Sequence, residues 1–360
     1  MNQVSATRAF VNGAVVGPTR VAWDADGTIT DVTQISSRDA TVDALLVPGF
    51  IDLQVNGIDD VNVATANELQ WKHLNRSLLK SGVTSWCPTL VSASIASLDL
   101  SLASIQVAMR RGLDQNSIAT PSIVGAHLEG PFLGAALGAH DKNSVVDVDL
   151  NWIAALPTCV ALMTIGAEQP HCVQAVQLLR QRGITVSIGH THATEQQFIA
   201  AKNAGAQMVT HLYNAMSGVH HRNHGIALSA LTDDDMYASI IVDLEHVSQR
   251  AVQLAFRAKP DAMILITDSV RASTKNAPRL SDGTLAGSVL TMDQALRNTV
   301  LRCSVPLSVA LASATKHPAR VLGLHDRGDI SVGKRADVVL LDNDLSVLQT
   351  VSGGLFYDTD

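Results

Sequence analysis

Between residues 50 and 267 the chain alternates short apolar runs with helix-patterned stretches, and this alternation limits the fold more than any other feature. The strand-like runs fall at 50–55, 83–90, 122–128, 160–165, 184–189, 207–212, 238–243 and 262–267. Amphipathic stretches at 66–81, 96–113, 170–182, 194–204 and 248–258 separate many of them. Eight strands with intervening helices over this length is the arithmetic of a (β/α)8 barrel. An open doubly wound sheet competes, but no Gly-x-Gly-x-x-Gly turn follows an early strand. The chain is 46% hydrophobic and only 4% aromatic, so its core is aliphatic, as in parallel strands buried on both faces. More helix is expected at 291–317, and there is no internal repeat or low-complexity tract.

The ends of the chain follow a different period. Residues 7–47 alternate apolar runs with turn signals at Asn12-Gly13, Gly17-Pro18 and Asp24 to Gly27, which is a hairpin pattern. Near the other end, Gly333 to Asp337 runs into the apolar Val338 to Leu341, and Leu348 to Tyr357 reads as another extended segment. The expectation is an α/β chain. A (β/α)8 TIM barrel at 48–327 carries a small β-sandwich domain whose two halves are 1–47 and 328–360.

Several functional classes are disfavoured. A net charge of −7 with thirteen aromatic side chains gives a nucleic acid little to bind, so no nucleic-acid partner is expected. Cys87, Cys159, Cys172 and Cys303 lack metal-knuckle or disulfide-framework spacing and read as buried thiols. The opening MNQVSATRAF has no basic and apolar leader pattern, and no apolar run approaches 18 residues. A cytoplasmic location without membrane contact is expected.

Histidine points to chemistry. Ten of the thirteen histidines lie between His127 and His246. In a barrel, reactive groups stand where strands end and the following loops begin. That rule selects Asp52, Gln54 and Asn56 after the first strand, His127 and Glu129 after the third, and His190 after the fifth. It adds His211 and Asn214 after the sixth, Asp243 and His246 after the seventh, and Asp268 after the eighth. Two histidines and a carboxylate converging on one mouth make a three-ligand hydrolytic metal site. His190 and His211 are 21 residues apart, about one βα repeat. Any single strand-end histidine is more often a hydrogen-bonded loop residue, and Asp268 or Glu129 alone could serve a turn. Their joint placement is the signal.

The sequence around these positions resembles the N-acetylglucosamine-6-phosphate deacetylase family of the amidohydrolase superfamily. The matching segments are Pro48 to Gly57 (PGFIDLQVNG), His127 to Phe132 (HLEGPF), Gly189-His190-Thr191, Thr210 to Met216 (THLYNAM), Ile266-Thr267-Asp268, Gly283 to Ser288 (GTLAGS) and Gly333 to Asp337 (GKRAD). They run in the family's order through nearly the whole chain.

The resemblance implies a site. Glu129, His190 and His211 match the metal ligands, and Asp268 matches the catalytic aspartate. His140, after Gly138-Ala139, matches a histidine beside the reacting amide. Ala139, Asn214 and Ala215 match substrate contacts, Arg222 and His246 the phosphate-binding pair, and Leu285, Ala286 and Gly287 a loop against the sugar. The implied reaction is metal-dependent hydrolysis of N-acetyl-D-glucosamine 6-phosphate in amino sugar catabolism. The implied cofactor is one divalent ion per chain, zinc ahead of iron, cobalt or manganese. The implied assembly is a homodimer.

Gln54-Val55-Asn56 stands where many amidohydrolases carry His-x-His. Neutral amides are poor zinc ligands, so a single metal is favoured. Departures cluster near the substrate: only 16 residues separate Asp268 from Leu285, Leu244-Glu245 precedes His246, and Ser269 to Ala272 and Ile58 to Asp60 depart from the small-residue pattern. They keep two alternatives open. One is a deacetylase of another N-acyl sugar phosphate, such as N-acetylgalactosamine 6-phosphate; the other is a non-catalytic sugar-phosphate-binding protein.

Overall fold

The computed structural model describes residues 2–114, 118–272, 274 and 276–358. Its barrel strands are Phe50–Val55, Val83–Val91, Ala126–Glu129, Val160–Ile165, Thr185–Ile188, Met208–Val209, Tyr237–Ile241 and Met263–Ile266. Each pairs in parallel with the next along the wall. A bridge between Val55 and Ser269, and the Asn56 N–H donating to the Ser269 carbonyl at 2.7 Å, bring the last strand back to the first. Nearly every strand residue is buried, which is why the runs read as continuously apolar and not alternating.

The helices outside the barrel start where their caps dictate. Glu68–Lys80 and Glu195–Ala204 open with capping boxes, Asn67 with Gln70 and Thr194 with Gln197. Gln249–Ala258 is capped by Ser248 and buries Val252, Ala255 and Phe256 as one stripe. The expected helix at 291–317 is broken. Met292–Arg297 continues through a wide turn at Asn298–Arg302, and helix resumes at Leu307–Ala314 and Lys316–Val321. Ser304 at φ +56° and Pro306, which lacks an N–H, interrupt the ladder. Two short helices, Leu150–Ala155 and Ile226–Thr232, escape the periodicity because two turns or fewer set no period.

The termini pair across the sequence. Val42–Pro48 lies parallel to Asn2–Val11 and antiparallel to Val338–Leu341, with Pro48 opposite Val338. Eight strands join into one mixed sheet, with a core of its own built by Val21, Trp23, Ile29, Leu46, Ile330 and Val338 among others. The Asn12-Gly13 turn has both residues at positive φ, the geometry a two-residue hairpin requires. The expected single segment from Leu348 to Tyr357 is instead a hairpin, Val347–Ser352 and Leu355–Phe356, folded at Gly353-Gly354. Val42–Pro48 runs through Gly49 directly into the first barrel strand, so the small sheet anchors the strand that carries Gln54 and Asn56. Among the described residues no helix is long and apolar enough to cross a membrane.

Candidate active site

The C-terminal ends of the barrel strands bring Glu129, His190, His211 and Asp268 together, all nine-tenths buried or more. Glu129 Oε1 lies 3.1 Å from His190 Nε2 and 3.0 Å from His211 Nε2, and the two Nε2 atoms are 3.0 Å apart. His190, His211 and Asp268 all have positive φ, as do Tyr213, Ala215 and Leu244 around the same mouth. Each costs on the order of 1–2 kcal/mol for a residue with a Cβ, and their concentration here marks a functional site.

Hydrogen-bond partners determine which ring nitrogens carry protons. His190 Nδ1 faces the Ala136 carbonyl at 3.1 Å, which can only accept, so Nδ1 holds the hydrogen and Nε2 presents a lone pair to the cluster. His140 is the reverse. The Ser92 backbone N–H donates to its Nδ1 at 3.3 Å, so the hydrogen of the neutral ring is on Nε2, 3.9 Å from Glu129 Oε2. Burial pushes the His140 pKa down to about 4, keeping the ring neutral. His211 Nδ1 is buried without a hydrogen-bond partner among the described residues, while its backbone N–H is held by Ser239 Oγ at 2.9 Å.

This donor set fits a divalent metal. One carboxylate oxygen and two imidazole nitrogens form a nearly equilateral triangle, close to the edge of about 3.3 Å that tetrahedral ligands at zinc distances would have. Glu129, His140 and His190 also have potential ligand atoms within 4.8 Å of one another. The Ser92 contact aims a hydrogen, not a lone pair, from His140, so Glu129, His190 and His211 are the better ligand set.

Amides fill the adjacent position. Gln54 Nε2 donates to Glu129 Oε1 and Asp268 Oδ1, each at 3.0 Å, and Asn56 Nδ2 donates to Asp268 Oδ1 at 2.8 Å. Burial would raise the Glu129 carboxyl, but the His190 and His211 rings held against it keep it well below the ordinary range. Burial and the Glu129 charge raise Asp268 above its ordinary value. The two carboxyls are thereby driven apart, the pattern of a resident anion beside a proton carrier. Below them burial keeps His127 neutral in the barrel interior, its Nδ1–H donating to the Leu53 carbonyl at 3.1 Å and its Nε2 accepting from the Thr164 hydroxyl at 2.8 Å.

The remaining expected contacts surround this centre unevenly. A Cβ on Gly138 would lie 3.4 Å from the His190 ring and 3.5 Å from Ala215, so the segment leading through Ala139 to His140 packs on both. Asn214 turns its amide nitrogen toward the His211 and Leu212 carbonyls. His246 Nδ1 pairs with Asp243 Oδ2 at 2.6 Å. Leu285 to Gly287 lies beside Asp268, whose carbonyl accepts from the Ser288 N–H. Arg222 is exposed on the loop after the sixth strand, and no hydrogen bond or ion pair ties its side chain to another described residue. Ser92 after the second strand and Glu168 after the fourth also contact this centre's segments, at strand ends from which the sequence reading takes no residue. The same rule applied to those two strands would have found them.

A model of the Amidohydrolase family matches residues 45–356. An N-acetylglucosamine-6-phosphate deacetylase from Lysinibacillus sphaericus is 32% identical, with 92% of each chain covered. An N-acetylgalactosamine-6-phosphate deacetylase from Escherichia coli O157:H7 is also 32% identical, over 90% of this chain and 91% of that one. Among solved structures, a mutant N-acetyl-D-glucosamine-6-phosphate deacetylase from Mycobacterium smegmatis in complex with N-acetyl-D-glucosamine-6-phosphate superposes with a TM-score of 0.89. It shares 29% identity, with 99% of this chain and 98% of that chain covered.

Proposed function

This chain belongs to the amidohydrolase family, and on that premise we propose that it hydrolyses the acetamide of N-acetyl-D-glucosamine 6-phosphate to D-glucosamine 6-phosphate and acetate. The observation that carries the reading is the buried triangle of Glu129, His190 and His211 with Asp268 beside it. Glu129, His190 and His211 would hold one divalent ion per chain, zinc ahead of iron, cobalt or manganese. When bound, that ion supplies a positive charge that acidifies water and polarises an amide carbonyl.

The chain's own groups do the rest. Asp268 takes a proton from the attacking water and returns one to the departing amine, cleaving the carbon–nitrogen bond. His140 donates its Nε2–H toward the oxyanion, a preorganised contact worth about 3–4 kcal/mol in the transition state. Arg222 and His246 hold the 6-phosphate, turning remote binding energy into orientation at the amide. Ala139, Asn214, Ala215 and the Leu285 to Gly287 loop line the sugar. A homodimer in the cytoplasm, each chain binding only its small sugar phosphate, completes the proposal.

A second substrate is favoured by one observation: the galactosamine-type relative is as similar as the glucosamine-type one. Acetate release from N-acetylglucosamine, N-acetylgalactosamine and their 6-phosphates tests both readings. The highest kcat/KM is expected on N-acetylglucosamine 6-phosphate. A preference for the galactosamine epimer would replace the substrate, and no release from any sugar would end the catalytic reading.

A further inference from the structure

Glu168 lies three residues beyond the fourth barrel strand, and its carboxylate joins two segments that come from different strands. Oε1 accepts from the Ala135 and His192 backbone N–H groups, each at 2.9 Å. Oε2 accepts from the Thr191 hydroxyl. The Ala135 segment carries the partners of His190: the Gly134 N–H donates to the His190 carbonyl at 2.8 Å, and the Ala136 carbonyl accepts from His190 Nδ1. The same segment continues to His140. We propose that Glu168 is a positioning residue. It clasps the 134–140 segment to the His190-Thr191 turn, so that the His190 lone pair and the His140 N–H both face the reacting centre.

Carboxylate chemistry is required at this point. Thr191 Oγ1 already accepts from the Ala167 and Ala193 N–H groups, so its own hydrogen has only Glu168 to go to. Oε1 meets two further N–H donors. Every group facing the carboxylate is therefore a donor, and an ionised carboxyl is acceptor-only on both oxygens. A glutamine fails in either orientation: its NH2 would confront two N–H groups, or the committed Thr191 hydroxyl. Space is equally tight. A Cβ on Gly134 would lie 2.1 Å from Glu168 Oε1, and one on Gly166 would lie 2.2 Å from the Gly134 nitrogen. The clasp thus needs glycine on one side and a carboxylate on the other.

The inference rests on His190 being a metal ligand, and the experiment separates the two claims. Glu168→Gln, Gly134→Ala and His190→Ala are compared by chelator competition for zinc, by thermal unfolding of the metal-free proteins, and by kcat and KM. Groups that orient a ligand from behind typically change metal affinity by 10- to 100-fold. Glu168→Gln and Gly134→Ala should each weaken zinc binding by about that factor. Their kcat should fall at saturating zinc with KM within about threefold, and their metal-free Tm should stay within a few degrees of the parent. Should Glu168→Gln not fold, Gly134→Ala carries the test alone. Native zinc affinity in the folded variants would overturn the proposal, as would a loss of affinity matched by collapse of the metal-free Tm. Retention of native zinc affinity by His190→Ala would overturn the ligand assignment beneath it.

Discussion

The side-chain nitrogen of Gln54 stands 3.0 Å from Asp268 Oδ1, a neutral donor against a buried carboxyl. The same nitrogen reaches Glu129, so amide hydrogens occupy the position between the two carboxyls where a second cation would sit. Elemental analysis of protein purified without added metal should therefore find about one divalent ion per chain. Two tightly held ions per chain would rule out the single-metal site.

His190 and His211 present nitrogens to the proposed ion, whereas Asp268 is held by Gln54 and Asn56. His190→Ala or His211→Ala should strip most of the metal along with activity. Asp268→Asn should keep the metal and lower kcat by about 10²- to 10⁴-fold, the usual contribution of a proton-transfer group. Metal loss from Asp268→Asn would move that residue into the ligand set.

Arg222 has no side-chain partner among the described residues to support a structural role, which leaves its guanidinium available for an anion. Hydrogen bonds to charged groups are worth roughly 1.5–3 kcal/mol, so Arg222→Ala should lower kcat/KM on the 6-phosphate by about 10- to 150-fold. Turnover of the unphosphorylated sugar and metal content should not change. If the arginine serves a neighbouring subunit, mixing Arg222→Ala with Asp268→Asn chains should restore part of the activity. Equal losses on both sugars would remove the phosphate assignment.

Asp52 makes stability depend on pH. Burial raises its carboxyl from 3.8 to about 6, against hydrogen bonds from Thr267 and the Gln54 N–H. Between those values the folded protein keeps a proton that the unfolded chain releases. Stability from this group is therefore highest below pH 4, declines as pH rises through 6, and levels off above. The full change is about 3 kcal/mol. Asparagine suits the site, because the Thr267 hydroxyl can turn its hydrogen to the Gln54 carbonyl at 3.3 Å and accept from the new amide. Urea unfolding at pH 4.5 and 7.5 should show Asp52→Asn gaining stability relative to the parent at the higher pH. An identical pH dependence in both would show that Asp52 is ionised throughout.

The barrel was readable because its signals are local. A strand buried on both faces reads as an apolar run, a capped helix repeats every 3.6 residues, and the two periods alternate. The (β/α)8 rule places Glu129, His190, His211 and Asp268 at one mouth from strand order alone. The broken helix after Thr291 was less legible, because Ser304 adopts a backbone conformation that its sequence does not announce. The turn at Gly353-Gly354 did carry a local signal, in two glycines where the chain reverses.

Periodicity and residue type are properties of the chain, and they specify the kind of fold and the residues able to do chemistry. The tertiary structure alone decided what each of those residues presents. His190 and His140 are the same side chain, yet one faces the centre with a lone pair and the other with a hydrogen. The Ala136 carbonyl and the Ser92 N–H, each brought in by packing from another part of the barrel, set that difference. Glu168 likewise looks like an ordinary loop acid until three donors from two other strands' loops close on it. A tautomer, a paired amide or a clasp depends on distances of about 3 Å between groups far apart in sequence, and only the folded chain creates those distances.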